Sequence, residues 1–194
     1  MRYSSLGLFA ALISVLGCAA LKPAPRPKDP GLFLLSPSEA GRELSLQQQL
    51  RFSRGKAVFE AVAAIEIDRQ SMRLAALGPL GNRMLSLVWD GKNYSEEKDP
   101  RLPKELPLKL ILRDIQLAYF PAEALQKNLP AGWTLKDGPK FRSLESGGEE
   151  IIRIRYDGSQ RWNSPLIFEH LGLGYHLEVQ PINNDEPNDE DAEP

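Results

Sequence analysis

Apolar residues recur at every second position along most of this chain, and the period changes in only one region. The segment Ala57 to Asp68 (AVFEAVAAIEID) places Phe59, Ala61, Ala63, Ile65 and Ile67 on one face and Glu60, Glu66 and Asp68 on the other, which predicts a long half-buried strand. The same alternation predicts a strand before it at Gln47 to Arg54, then others at Met72 to Leu77 and Arg83 to Trp89. Arg69-Gln70, Gly78-Pro79-Leu80-Gly81 and Asp90-Gly91 punctuate these runs; the last is a two-residue hairpin signal that returns the chain through Lys92 to Ser95. Successive hairpins of this kind make a meander.

From Leu106 to Gln116 the apolar spacing becomes helical, through Leu108, Ile111, Leu112 and Ile115. A second short helix is expected at Pro121 to Asn128, with proline in its favoured first turn. The stretch between them, Gln116-Leu117-Ala118-Tyr119-Phe120, has no clear period. Two-fold alternation then resumes and predicts strands at Trp133 to Lys136, Phe141 to Leu144, Glu150 to Tyr156, Leu166 to Leu171 and Tyr175 to Val179. Asp137-Gly138, Gly147-Gly148 and Asp157-Gly158 are the turn signals among them. The expected fold is mainly β (α+β): about nine to eleven antiparallel strands in a strongly curved sheet or half-open barrel, with two or three short helices over its concave face.

The termini divide the chain. Arg2 precedes an apolar run, Leu6 to Leu16, that is too short for a membrane span of ~20 residues and has the form of a secretory signal. Val15-Leu16-Gly17-Cys18 follows it and contains the only cysteine. A lone thiol at this point resembles a bacterial lipobox, which implies cleavage after residue 17 and acylation of Cys18; an ordinary signal with a coincidental cysteine is the alternative. Ala19 stands where retention in the inner membrane usually wants aspartate, so the resemblance implies an outer-membrane address facing the periplasm. With that thiol acylated, no disulfide is available and a hydrophobic core must hold the fold. KPAPRPKDP, residues 22–30, carries four prolines and reads as a stiff tether. The segment from Asn183 lacks large apolar residues and reads as a disordered acidic tail. The expected units are therefore a signal peptide at 1–17, the lipidated Cys18 and its tether to residue 30, a domain at 31–182, and the tail at 183–194.

Charge removes several function classes. The formal net charge is -2, and six of the acids lie in the last ten positions. Without those acids and Arg2, the rest holds 23 basic and 20 acidic residues, with no basic footprint for nucleic acid. His170 and His176 are the only histidines and have no companions at zinc spacing; an unbroken strand would put both on one face. There is no nucleophile elbow and no phosphate-cradling loop, and Glu96-Glu97 and Glu149-Glu150 sit beside turns where they stay solvated. No enzyme, metal or cofactor is expected beyond the lipid on Cys18.

The apolar stripes Phe59, Ile65, Ile67, Leu85, Leu87, Trp89, Ile152, Ile154 and Tyr156 would line the concave side of a curled sheet. A solid core would need the same residues. Ala57, Ala61 and Ala63 share a face with Phe59 and Ile65, which leaves volume that two thin helices do not fill and favours a ligand cavity.

The order of these pieces carries a resemblance. The lipobox, Gly78-Pro79-Leu80-Gly81 followed by Trp89-Asp90-Gly91, the central helical pair and Leu129-Pro130-Ala131-Gly132-Trp133 together resemble the LolB-like outer-membrane lipoproteins. Ile115 to Pro121, Leu125, Gly132-Trp133 and Ile154-Arg155-Tyr156 are similar to a branch of that group often encoded beside fatty-acid-synthase-like genes of the aryl polyene type. The resemblance implies a half-open barrel whose helices cover an apolar cavity for acyl chains. LolB itself takes lipoproteins from a soluble periplasmic carrier and releases them into the outer membrane through an exposed apolar loop. The sequence offers no counterpart of that loop, so the expected cargo is another lipid or a polyene conjugate. Expected partners are membrane lipid, a lipid-like or acylated cargo, and a periplasmic carrier or inner-membrane exporter. The competing expectation is a structural adaptor that docks an exporter or synthesis complex and holds no ligand.

Overall fold

The computed structural model describes residues 29–31, 33–102 and 107–182. The signal segment, Cys18 with its expected lipid, the tether up to Lys28 and the acidic tail lie outside the described residues. Ten strands form one sheet: β1 Leu44–Arg54, β2 Ala57–Ile67, β3 Met72–Leu77, β4 Arg83–Trp89, β5 Tyr94–Lys98, β6 Trp133–Gly138, β7 Phe141–Ser146, β8 Glu149–Tyr156, β9 Leu166–His170 and β10 Tyr175–Pro181. Two α-helices, α1 Leu108–Tyr119 and α2 Ala122–Asn128, connect β5 to β6.

The strand order is β5-β4-β3-β2-β1-β10-β9-β8-β7-β6, and every neighbouring pair is antiparallel. Strands that pair are consecutive in sequence except at one seam, where β1 meets β10 with Gln48 opposite Pro181 and Arg54 opposite Tyr175. The first and last strands therefore lie in the middle, and β5 and β6 are the two edges. The sheet does not close into a barrel, and the helical segment bridges the edges. Among the described residues no helix is long and apolar enough to cross a membrane.

The element boundaries follow from local chemistry. β1 begins at Leu44 and not Gln47, because Leu44 and Leu46 continue the buried alternation and pair with Ile67 and Ile65. Asp68 closes the β2–β3 turn by accepting the N–H groups of Gln70 and Ser71, each at 2.7 Å. Asp90 does the same for Lys92 at 2.8 Å and Asn93 at 2.6 Å. That turn spans Asp90 to Asn93 with Trp89 opposite Tyr94, so it is a four-residue loop and the return strand begins at Tyr94. Gly91 makes it possible at φ 91°, with Ser36 Oγ only 3.3 Å from where a Cβ would stand. Asp137 and Gly138, read as turn residues, belong to β6.

The unassigned stretch after Gln116 is helix. α1 continues to Tyr119 and stops because Pro121 forces Phe120 into extended backbone, φ -74° and ψ 154°. Twelve residues are too few for a helix that stands alone in water. Tertiary contacts hold it, and they make the site.

Candidate functional site: an apolar cavity beneath the first helix

One face of the sheet is covered by α1 and α2, and its two halves are filled differently. Over β6 to β8 the covering is solid. Ile152, Ile154 and Leu144 are each at most 1% exposed, and Leu117, Phe120 and Leu125 of the helical segment belong to the same buried cluster. Between α1 and β1, β2, β3, β4, β9 and β10 lies a cavity of about 270 Å³. Leu110, Ile111, Ile115 and Tyr119 form its helical wall, and Leu50, Phe52, Leu177 and Val179 form the opposite wall along the β1–β10 seam. Ala61 and Ala76 stand in the wall where larger residues would occupy the space.

Of the nine residues expected to line such a cavity, Phe59, Ile65 and Leu85 do so. The other six pack elsewhere, five of them buried and Trp89 partly so, each for an identifiable reason. Ile67 and Leu87, 1% and 0% exposed, sit toward the end of β2 and β4 that the chain around Leu35 covers. Trp89 turns its indole to that segment and donates Nε1–H to the Leu35 carbonyl at 2.8 Å. Ile152 and Ile154 belong to the solid half. Tyr156 is a structural anchor: its hydroxyl donates to the Ala118 carbonyl at 2.7 Å, and burial pushes its phenol up to about 12, so it remains a donor.

The cavity opens at one end of the sheet. The last pair between β2 and β3 is Val62 with Leu77, so residues 57–61 of β2 project past β3. Phe59 lines the cavity there and is 42% exposed, and Arg54 stands beside it at the hairpin tip. The Gly78–Gly81 turn and the Leu171–Gly174 turn lie at the same end, since β3 and β9 run toward it. Six of the seven exposed large apolar side chains among the described residues, Val58, Phe59, Val62, Leu77, Leu80 and Leu171, belong to this end or lead into it. Leu80 is 93% exposed. Read in sequence as turn chemistry alone, Gly78-Pro79-Leu80-Gly81 is also a protruding apolar tip.

A polar frame fixes α1 over the cavity. Gln116 and the backbone of Leu35 exchange two hydrogen bonds of 2.9 Å, Nε2–H to the carbonyl and the Leu35 N–H to Oε1. At the helix C-terminus, where carbonyls lack intrahelical partners, Arg142 donates to those of Leu117 at 2.6 Å and Phe120 at 2.9 Å. Toward the cavity, Gln48 Nε2–H donates to the Tyr119 hydroxyl at 2.6 Å. The centre of the frame is Arg113, with a fully buried side chain that donates to Asp29 at 2.8 Å and to Asp114 at 2.8 Å.

Asp114 lines the cavity, and its second oxygen accepts the Tyr175 hydroxyl. Burial pushes the Asp114 carboxyl up, against the pull of the Arg113 charge and the Tyr175 hydrogen bond. Burial also acts to raise Asp29, but hydrogen bonds from His170 and Arg113 outweigh it and hold the carboxyl at about 2. His170 accepts the Leu173 N–H on Nδ1 at 3.2 Å, so its proton sits on Nε2 and is donated to Asp29 at 2.8 Å. Because the folded value of Asp29 lies below the ordinary 3.8, its contribution to stability is complete above about pH 4 and is lost as pH falls toward 2. Acid unfolding followed by tryptophan fluorescence should therefore begin at lower stability for wild type than the pH 7 value, with a smaller acid-dependent loss in Asp29→Asn.

His170 and His176 do not share a face, because the chain turns between them: His170 sits opposite Tyr175 and His176 opposite Glu169. Among the described residues no cluster of histidine, cysteine or carboxylate could hold a metal ion.

A family model described as a protein of unknown function (DUF3261) matches residues 45–183, from β1 through β10. The chain belongs to that family. No curated protein matches it. The DUF3261 segment contains every residue that lines the cavity, from Gln48 to Val179. Asp29 and Leu35, which tie down α1, precede it. The β1–β10 seam was the part of the site least visible beforehand. The alternation of Leu50 with Phe52 and of Leu177 with Val179 is plain in sequence, but nothing local says that these strands are neighbours. Arg113 and Gln116 gave only a weak signal, a charged pair and an amide within a mostly apolar helix.

Proposed function

We propose that this protein is an outer-membrane lipoprotein, held by acylated Cys18 and facing the periplasm, that binds a lipid-like or acylated cargo and helps place or transfer it at that membrane. On this reading the sheet is a half-open barrel of the LolB-like kind. The cavity under α1 is the observation that carries it. An apolar space open at one end, with protruding apolar residues around the opening, suits a chain that leaves one greasy environment for another. Such transfer is driven by apolar area at about 25 cal/mol per Å², so a small affinity difference or a bilayer sink sets its direction. Leu80 would then touch the acceptor bilayer.

The adaptor reading draws support from Val58, Val62 and Leu77, exposed on the outer face, where Val62 and Leu77 are cross-strand partners. It leaves the cavity without a purpose.

Two measurements test the proposal. Organic extraction of the purified full chain followed by mass spectrometry should release a lipid-like molecule in reproducible stoichiometry. Delivery of a bound fluorescent lipid to acceptor vesicles should slow at least tenfold in Leu80→Glu, while binding is retained, because a charge resists entry to the bilayer centre by roughly 2.5–3.5 kcal/mol and a factor of ten needs only about 1.4 kcal/mol. Protein that is empty after purification and takes up no lipid would remove the cargo reading and leave the adaptor.

A further inference from the structure

The charges around the cavity are not equally committed to partners, and the difference selects among amphiphiles. Asp114, bonded to the residue directly across the seam from Arg54, is already committed: its two oxygens take the Arg113 guanidinium and the Tyr175 hydroxyl. The buried set made of Asp29, Arg113, Asp114 and neutral His170 holds two carboxyls for one guanidinium, so it offers no net positive charge to an incoming anion. The cation at this end is differently placed. Arg54 lines the opening beside Phe52 and Phe59, and neither Arg54 nor its near neighbour Lys56 makes a side-chain hydrogen bond or ion pair among the described residues. Most other strand cations of this half are paired, as Arg51 is with Glu60 and Glu178 and Arg73 is with Glu66. The volume of about 270 Å³ lies at the small end for ligand cavities and suits one chain rather than two or three.

From this geometry we infer that the cavity takes a single-chain anionic amphiphile, its tail under α1 and its carboxylate on Arg54 at the mouth. The inference rests on the cargo reading above and narrows it. An arginine fork matches a carboxylate in two parallel hydrogen bonds, and the apolar walls behind it supply affinity for the tail without regard to the head. The head stays at the mouth because Arg54 is the one cation among the described lining residues, and Asp114 near it is already taken by Arg113 and Tyr175.

The test uses the full-length chain in nanodiscs with radiolabelled dodecanoic acid, dodecanol and dodecylamine, and subtracts as background the signal from the cavity-filled variant Ala61→Phe. The acid should bind more tightly than the alcohol. Arg54→Gln should weaken the acid about fivefold, the upper range for a partly exposed ion pair, and leave the alcohol unchanged. Raised salt should reproduce that selective loss. Acid and alcohol binding equally, with Arg54→Gln without effect, would overturn the inference and leave the cargo reading intact. Preference for the amine would overturn it in favour of Asp114 as the recognising group. No signal above background for any of the three would overturn both.

Discussion

Replacing Arg113 by methionine should lower the unfolding free energy by about 3–5 kcal/mol, the range observed when one partner of a buried ion pair is removed. The side chain is fully buried and holds two carboxyls, that of Asp29 before the sheet begins and that of Asp114 in the cavity wall. Methionine fills similar volume, so the loss reports the charges left behind and not a void. Both carboxyls would lose the guanidinium, their only described cationic partner, and each would have to take up a proton or draw in water. The loss should accordingly shrink at acid pH. Denaturant unfolding at pH 7 and pH 4 measures this directly, and Arg113→Lys should recover part of it, because an ammonium restores charge but not the fork that reaches both sides. A loss below about 1 kcal/mol at pH 7 would mean that the network is solvated and that packing alone holds α1.

That network also explains what the sequence could and could not disclose. The strands were legible because each hides one face, and a period of two survives in the residues: β3 and β4 lie where the alternation of Met72 to Leu77 and Arg83 to Trp89 places them. The solid half and the hollow half of the helix-covered face were not distinguishable, since Ile152 and Ile65 satisfy the same pattern. What separates them is the path of α1 and of the chain around Leu35, and that path is fixed by long-range polar contacts, Gln116 with Leu35 and Arg142 with the last carbonyls of the helix. Partners 81 and 25 residues apart leave no local trace. The same reasoning accounts for Tyr156, whose aromatic body fits a ligand wall as well as an anchor until its hydroxyl is seen on Ala118. The exposed Leu80 escaped notice for the opposite reason, since a turn residue in sequence carries no sign of what surrounds its tip.

Filling the cavity should abolish uptake without unfolding the protein, and this separates a binding wall from a core. Ala61 lies in the wall between the β1–β10 seam and β3, and in Ala61→Phe the ring has the cavity of about 270 Å³ to enter. Burying a phenylalanine side chain gains about 1.5–3 kcal/mol and overpacking costs about 1–3 kcal/mol, so the two nearly cancel and stability should stay within about 1 kcal/mol of wild type. Retention of a fluorescent fatty acid should fall at least tenfold over the same comparison, because the ring and the chain compete for one space. Leu87→Ala supplies the opposite case. Leu87 is fully buried on β4 but does not touch the cavity, so its truncation should cost about 2–5 kcal/mol and leave affinity unchanged in whatever fraction remains folded. Should both variants lose stability and binding together, the space under α1 would be ordinary core with a packing defect. Loss of binding in Ala61→Phe alone would identify it as a site whose emptiness is maintained by small residues at Ala61 and Ala76.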